Sequence, residues 1–198
     1  MNTFPKYESF KHGLIVSKIW LCEELEKIVN ILGYSSPNVH ILAAWDNLLS
    51  FMMLIRNPYL YKNFFSYDIN STFTNVADKV CNTWLYDRSD INSIVKNITA
   101  DVNMYTDYTL STDNIFINCS VDQIESLKWY NNIPNGSLVC LQTTDMVDTE
   151  HPWYIRTITT DMDQFKIKFP MKSVYYEGTK NISYGNWGYN RLMLIGIK

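Results

Sequence analysis

The sequence predicts a single α/β domain, with a mainly parallel sheet flanked by helices and closed by a C-terminal antiparallel hairpin. Three observations carry this reading. Short apolar runs of strand length alternate with segments of helical periodicity along most of the chain, which implies right-handed crossovers between parallel strands. The last two apolar runs have no helical pattern between them and are separated by a stretch containing Gly178, Gly185 and Gly188, the signature of a hairpin. A chain of 198 residues, 46% of them apolar, is long enough to bury roughly two-thirds of its unfolded surface around one core.

The elements follow in order. From Ser17 to Gly33, residues Ile19, Trp20, Leu21, Leu25, Ile28, Val29 and Leu32 fall at helical spacing, and Gly33 is placed to end the helix. Residues 1–36 therefore read as an N-terminal helical extension of a domain spanning 1–198. Val39 to Trp45 is a continuous apolar run of the kind found in buried parallel strands. Asp46 or Asn47 can cap a helix that runs to Arg56 and stops before Asn57-Pro58. Lys62 to Ile69 is a second strand with Asp68 near its end, and a helix begins at Ser71. Asn97 to Asn103 is a weak third strand, Asn114 to Cys119 a strong fourth, and Ser137 to Gln142 a fifth. A helix over Val121 to Asn131 joins the last two. A helix near Asp161 to Phe169 precedes the closing strands at Ser173 to Glu177 and Leu192 to Ile197.

Charge and composition exclude several classes of function. With 17 basic and 20 acidic residues and a net charge of −3, scattered in mixed groups, the chain has no footprint for a phosphate backbone, which disfavours nucleic acid as a partner. No apolar run reaches the ~20 residues that span a bilayer. The N-terminal stretch has no signal-peptide core, so a cytoplasmic location is expected. Cys22, Cys81, Cys119 and Cys140 show no metal-ligand spacing, so no metal site is expected. The abundance of Asn, Ile, Tyr and Lys suits an AT-rich genome such as that of a phage.

Four blocks have a further meaning: Ile41-Leu42-Ala43-Ala44-Trp45-Asp46-Asn47-Leu48-Leu49-Ser50, Tyr67-Asp68-Ile69-Asn70, Ile117-Asn118-Cys119-Ser120 and the run from Ile133 to Gln142. Together with five β/α units and a closing hairpin, they make the chain resemble class I S-adenosylmethionine-dependent methyltransferases, over about Ser17 to Lys198. The resemblance implies a seven-stranded Rossmann-like sheet and S-adenosylmethionine as cofactor. Asp68 would accept the ribose hydroxyls, Asp101 and Val102 would meet the adenine, and the loop Ala43, Ala44, Trp45, Asp46 would present its backbone to the methionine end. Asn118 would face the sulfonium and the acceptor. The chain departs from the family in having no glycine in that first loop, where glycine lets backbone approach the ligand with positive φ. Trp45 and the alanines before it, Ala43 and Ala44, are expected to control access, with the β-carbon of Ala44 as the obstacle that Ala44→Gly would remove.

Other readings of the same residues stay open. Asp68 could instead cap the next helix through Ser71 or Thr72. Asn118 could bond a loop rather than a ligand. Asp145 and His151, after the fifth strand, are candidates for a substrate-side base, although a loop histidine is commonly just solvated. Cys119 with His151 lacks the third, orienting partner of a nucleophilic triad. The chain has neither an Asn/Asp-Pro-Pro-aromatic block nor a Pro-Cys nucleophile, so the acceptor, a small molecule or a protein, is not readable. The alternative to a transferase is a non-catalytic protein of the same fold, serving as an interaction or virion component with an assembly partner.

Overall fold

The computed structural model describes residues 11–86, 88, 94–146 and 159–198. Helix α1 (His12–Leu32) leads into strand β1 (Asn38–Leu42), helix α2 (Leu48–Arg56), strand β2 (Asn63–Asp68), helix α3 (Ser71–Tyr86) and strand β3 (Ile94–Thr99). Strand β4 (Asn114–Asn118), helix α4 (Lys128–Asn132), strand β5 (Leu138–Thr144), helix α5 (Met162–Lys168) and the strands β6 (Ser173–Tyr184) and β7 (Trp187–Ile197) follow. The strands form one sheet in the order β3-β2-β1-β4-β5-β7-β6. The first five run parallel, and β7 pairs antiparallel with both β5 and β6.

Alternation along each strand divides the core into two layers. Val39, Ile41, Ile115, Ile117 and Cys140 face α1 and α2, meeting Trp20, Leu21, Leu25, Leu49 and Met53. Their neighbours Leu42, Phe116 and Leu141 face the opposite way, onto Trp129, Phe165 and Phe169 of α4 and α5 and onto Val102 and Tyr108. Strands covered on both faces need apolar residues at successive positions, which is why β1 and β4 read as unbroken runs. Asn38 and His40 are the polar exceptions in β1, and His40 lies in its middle. Fully buried among Phe65, Tyr67 and Phe116, its imidazole is pushed down to about 4 by desolvation and stays neutral.

Several boundaries differ from the sequence expectation, each for a local reason. Helix α1 starts five residues earlier than Ser17, and Gly33 ends it in the left-handed conformation at φ 65. Strand β1 stops at Leu42 instead of Trp45, because Ala43 turns left-handed. Strand β3 is shifted to 94–99 from the expected 97–103. It is an edge strand paired only with β2, so its alternation is weak, and a turn at Asp101 ends it. The expected helix over 121–131 is split into a 3-10 turn (Val121–Gln123) and the short α4. The closing hairpin is much longer than expected. Strand β6 runs twelve residues, straight through Gly178, to a two-residue turn that starts at Gly185, φ 62, a position that glycine serves without strain. No helix among the described residues is long and apolar enough to cross a membrane.

Candidate functional site

The chain leaves β1 for β2 on one side and later returns to β4 on the other. Strand order therefore reverses at β1, and in open α/β sheets such a switch places the ligand crevice beyond the carboxyl ends of the two strands, here β1 and β4. The loop after β1 forms one wall. In it Ala43 (φ 51), Trp45 (φ 57) and Asn47 (φ 55) are all left-handed, a conformation costing an ordinary side chain roughly 1–2 kcal/mol and tolerated best by Asn. Alternate residues thus follow a path that glycine would follow freely. Ala44 is not among them, so of the expected alanines and Trp45 it is Ala43 and Trp45 whose backbone takes the conformation glycine favours.

The loop is held in this shape by its neighbours. The Ala44 N–H donates to the carbonyl of Tyr67 and the Asn47 N–H to that of Ala44, both at 2.9 Å. The Trp45 N–H donates to Asp68 Oδ2 at 2.9 Å. Asn47 Nδ2 donates to Asn97 Oδ1, and Asn97 Nδ2 to Asp78 Oδ1, each at 2.8 Å, tying the loop across to β3 and α3. Asp46 Oδ1 accepts the Leu48 N–H at 3.4 Å, while Asn47 makes no side-chain cap to α2. The Trp45 ring packs edge-to-face on Phe73 at the start of α3, 5.7 Å between centroids.

Asp68 closes β2 beside this loop. Its Oδ1 accepts the Asn70 N–H at 2.9 Å, and it is Asn70, not Asp68, whose Oδ1 accepts the Thr72 N–H at the start of α3. The helix-cap role that is the alternative reading of Asp68 thus belongs to Asn70. Each Asp68 oxygen carries one backbone bond, and a carboxylate has lone pairs for more. Asp101, beyond β3, uses Oδ1 to accept the Asn103 N–H at 2.9 Å, and Val102 is buried in the layer opposite α1. Both stand two strands away from β1 on the far side of β2.

Asn118 ends β4 directly opposite Leu42 of β1. It is fully buried, its Oδ1 accepts the Ser120 N–H at 2.9 Å, and its Nδ2 has no partner among the described residues. Asp145 lies on the other side of the crevice. Its two oxygens accept the backbone N–H and the side-chain Nδ2 of Asn190, both at 2.7 Å, fastening the end of β5 to β7. His151 lies outside the described residues. Cys119 is half-buried, and desolvation pushes its thiol up, the reverse of an activated nucleophile.

Sequence reasoning missed a polar network joining α1, β4, β5 and β7. The Ser17 hydroxyl donates to Gln142 Oε1 at 2.8 Å, and Gln142 Nε2 returns a bond to the Ser17 carbonyl at 3.1 Å. Arg191, 6% exposed, donates from Nε to Ser17 Oγ at 3.4 Å and from Nη2 to the Cys119 carbonyl at 2.8 Å. Its Nη1 lies 3.9 Å from Asp122 Oδ1. Burial raises the Asp122 carboxyl against the pull of Arg191. Lys18, the next residue on α1, has its ammonium pushed down by burial, with the Cys119 thiol and the charged Arg191 and Asp46 among its surroundings. The only sequence signal was a run of isolated polar residues inside otherwise apolar elements.

Comparison with solved structures supplies the frame for these positions. A carbon methyltransferase, DszA, superposes with a TM-score of 0.66 at 8% identity, covering 94% of this chain and 55% of that one. This is the class I methyltransferase fold. The N-methyltransferase NodS from Bradyrhizobium japonicum matches at TM-score 0.63 and 8% identity over 96% of this chain and 99% of its own. The magnesium protoporphyrin IX methyltransferase ChlM from Synechocystis, solved with bound SAM, matches at 0.60 and 10% identity over 92% and 81%. The chain thus spans about half the length of the DszA structure and nearly all of NodS. No protein-family model matches the sequence, and no curated protein matches it. Carbon and nitrogen methyltransferases are both among the neighbours, so the fold leaves the acceptor atom open.

Proposed function

We propose that this protein binds S-adenosylmethionine in the crevice beyond β1 and β4 and transfers its methyl group to a small-molecule or protein acceptor. The observation that carries the reading is the loop 43–47. Its left-handed residues at alternate positions keep the backbone course of a glycine loop without the glycines, and strain of this kind persists where a site requires the conformation. The residues around the loop fit the cofactor. The Asp68 carboxylate, at the end of β2 and bonded to the loop through Trp45, retains lone pairs for the ribose hydroxyls. Ala43 to Asp46 would face the methionine end, and Asn118 would stand across the crevice from them. Asp101 and Val102 would lie towards the adenine, with one oxygen of the Asp101 carboxylate engaged in its own turn.

When bound, the cofactor supplies a methyl carbon already activated by its sulfonium, so the chain's task is to position the acceptor and exclude water. The buried network of Ser17, Gln142 and Arg191 clamps α1 over the carboxyl ends of β4 and β5 and the amino-terminal half of the antiparallel β7, which suits that task.

The test rests on Asp68. S-Adenosylhomocysteine is expected to raise the melting temperature of the wild type, and Asp68→Ala is expected to weaken that ligand at least about tenfold, since bonds to a charged acceptor are worth about 1.5–3 kcal/mol each. A wild type with no ligand-induced rise, or an Asp68→Ala variant with an undiminished one, overturns the reading.

A further inference from the structure

The closing hairpin is longer than the sheet it joins, and the excess stands at one end. Strand β7 pairs with β5 from Leu138–Ile197 to Thr144–Arg191, so its residues before Arg191 run on past the carboxyl end of β5. Asp145 holds Asn190 at that point. Beyond it the pairs Ile182–Tyr189, Ser183–Gly188 and Tyr184–Trp187 continue as a two-stranded arm, roughly 10 Å long at the rise of an antiparallel strand. Because β1, β4 and β5 run parallel, the arm leaves the sheet at the same edge as the crevice.

Paired residues share a face, and alternation puts Ile182, Tyr184, Trp187 and Tyr189 on one side of the arm. Tyr184 and Trp187 stack with 4.7 Å between ring centroids and 14° between planes. Tyr189 lies 6.3 Å from Tyr184 and 6.2 Å from Trp187, tilted by 22° and 28°. With those three separations no ring is sandwiched between the other two, so one face of the Trp187 indole meets Tyr184 and neither tyrosine covers the other face. Trp187 is 57% exposed. The stack is fixed from beneath by α1: the Tyr184 hydroxyl accepts the Gly13 N–H at 2.7 Å, and His12 meets the Tyr184 ring edge-on at 6.0 Å. An exposed ring held in place in this way offers contact area at little cost in ordering.

The chemistry around the ring selects what it would hold. Residues 181–190 include no acidic or basic side chain, so the arm has nothing to pair with a charged group. Its exposed neighbours Asn181, Ser183 and Asn186 are polar. They confine the apolar surface to about one indole face, far below the roughly 800 Å² per partner of a protein interface. We propose that Trp187, backed by Tyr184, is a stacking platform for a flat, uncharged aromatic ring of a small molecule. The platform stands without the methyltransferase reading, but its consequence rests on it: under that reading the ring belongs to the methyl acceptor.

The test is isothermal titration of the whole protein with 2-naphthol, a flat ring system that is uncharged at neutral pH. The wild type is expected to bind it. Decahydro-2-naphthol, which has the same fused skeleton without the aromatic plane, is expected to bind at least about tenfold more weakly, because stacking needs the π-face. The planar anion 2-naphthoate is expected to bind no more tightly than 2-naphthol. Trp187→Phe, which keeps a ring, should stay within a few-fold of the wild type, whereas Trp187→Leu, which keeps apolar bulk on the hairpin, should weaken 2-naphthol at least about tenfold. A wild type that binds no 2-naphthol, or equal affinity for 2-naphthol and its saturated analogue, overturns the proposal, as does unchanged affinity in Trp187→Leu. Tighter binding of 2-naphthoate overturns the preference for an uncharged ring. Self-association of the wild type that Trp187→Leu abolishes, read by sedimentation, gives the indole face to a second copy and overturns the small-molecule assignment. Binding of 2-naphthol by a protein whose melting temperature does not respond to S-adenosylhomocysteine overturns the cofactor reading and the acceptor role, and leaves the platform itself supported.

Discussion

The strand ends on the β1–β2–β3 side of the crevice and the polar network on the β4–β5–β7 side solve the same problem by different means. Around the first three strands, several polar side chains are satisfied over a few residues of chain, beside the longer bonds of Asp68 to Trp45 and of Asn47 to Asn97. Asp68 accepts from Asn70, Asn70 from Thr72, Asp101 from Asn103 and Asp46 from Leu48, each two residues on. Asn118 uses the same turn to Ser120 but leaves a donor over. On the far side, Ser17, Gln142, Arg191 and Cys119 are joined across separations of 125, 174 and 72 residues. Local turns of this sort form wherever Asp or Asn ends an element. The long-range network exists only once the sheet is assembled, and its failure is correspondingly expensive.

Arg191→Met should therefore have the largest effect. It strands the Cys119 carbonyl and leaves the Asp122 carboxylate buried without its cation, a class of change that costs about 3 kcal/mol or more. The comparison also has a pH dependence. Burial already raises the Asp122 carboxyl, and Arg191 opposes that rise, so removing Arg191 moves the folded-state pKa further above its unfolded value. An acid raised in this way takes up a proton on folding, and stability is recovered as pH falls through the folded value. Urea unfolding at neutral and mildly acidic pH should show the deficit of the variant shrinking on acidification. A deficit independent of pH would mean that the two groups are not coupled.

A middle-sized effect is expected where the hairpin meets α1. The Gly13 N–H donates to the Tyr184 hydroxyl at 2.7 Å, and a β-carbon on Gly13 would run into the hydroxyls of both Tyr184 and Tyr189. Gly13→Ala should cost about 1–3 kcal/mol through overpacking. Combining it with Tyr184→Phe, which removes one obstructing oxygen, should recover part of the loss in a double-mutant cycle. Strictly additive losses would show that the two residues do not press on each other.

The smallest effect is expected in the loop itself, and its sign is the informative part. Ala43→Gly relieves a left-handed alanine costing roughly 1–2 kcal/mol and loses roughly 0.5–1 kcal/mol to unfolded-chain entropy, so the midpoint of chemical denaturation should rise slightly. Ala44→Gly, where no left-handed angle is relieved, should lower it. The opposite pair of signs would show that the loop is not strained as described.

By itself the sequence determined the elements that local chemistry dictates. The continuous runs of β1 and β4 marked a parallel sheet covered on both faces, Gly33 marked the end of α1, and the glycine-containing stretch without helical pattern between the last two apolar runs marked a closing hairpin. It also brought Asp68 to the end of β2 and Asn118 to the end of β4, because both follow recognisable strand cores. It did not determine the edges. Strand β3, with one partner and weak alternation, was placed three residues too late, and the hairpin strand β6 was cut short at Glu177, because its exposed residues carry little apolar pattern. The tertiary structure alone decided that Ala43 and Trp45 adopt glycine's conformation, that Asn70 takes the capping role that is the alternative reading of Asp68, and that Arg191 is buried against Ser17 and Cys119. The physical reason is common to all three. Backbone strain and buried polar bonds are sustained by neighbours from distant parts of the chain, and a side chain read in its own local context gives no measure of the partners that folding will bring to it.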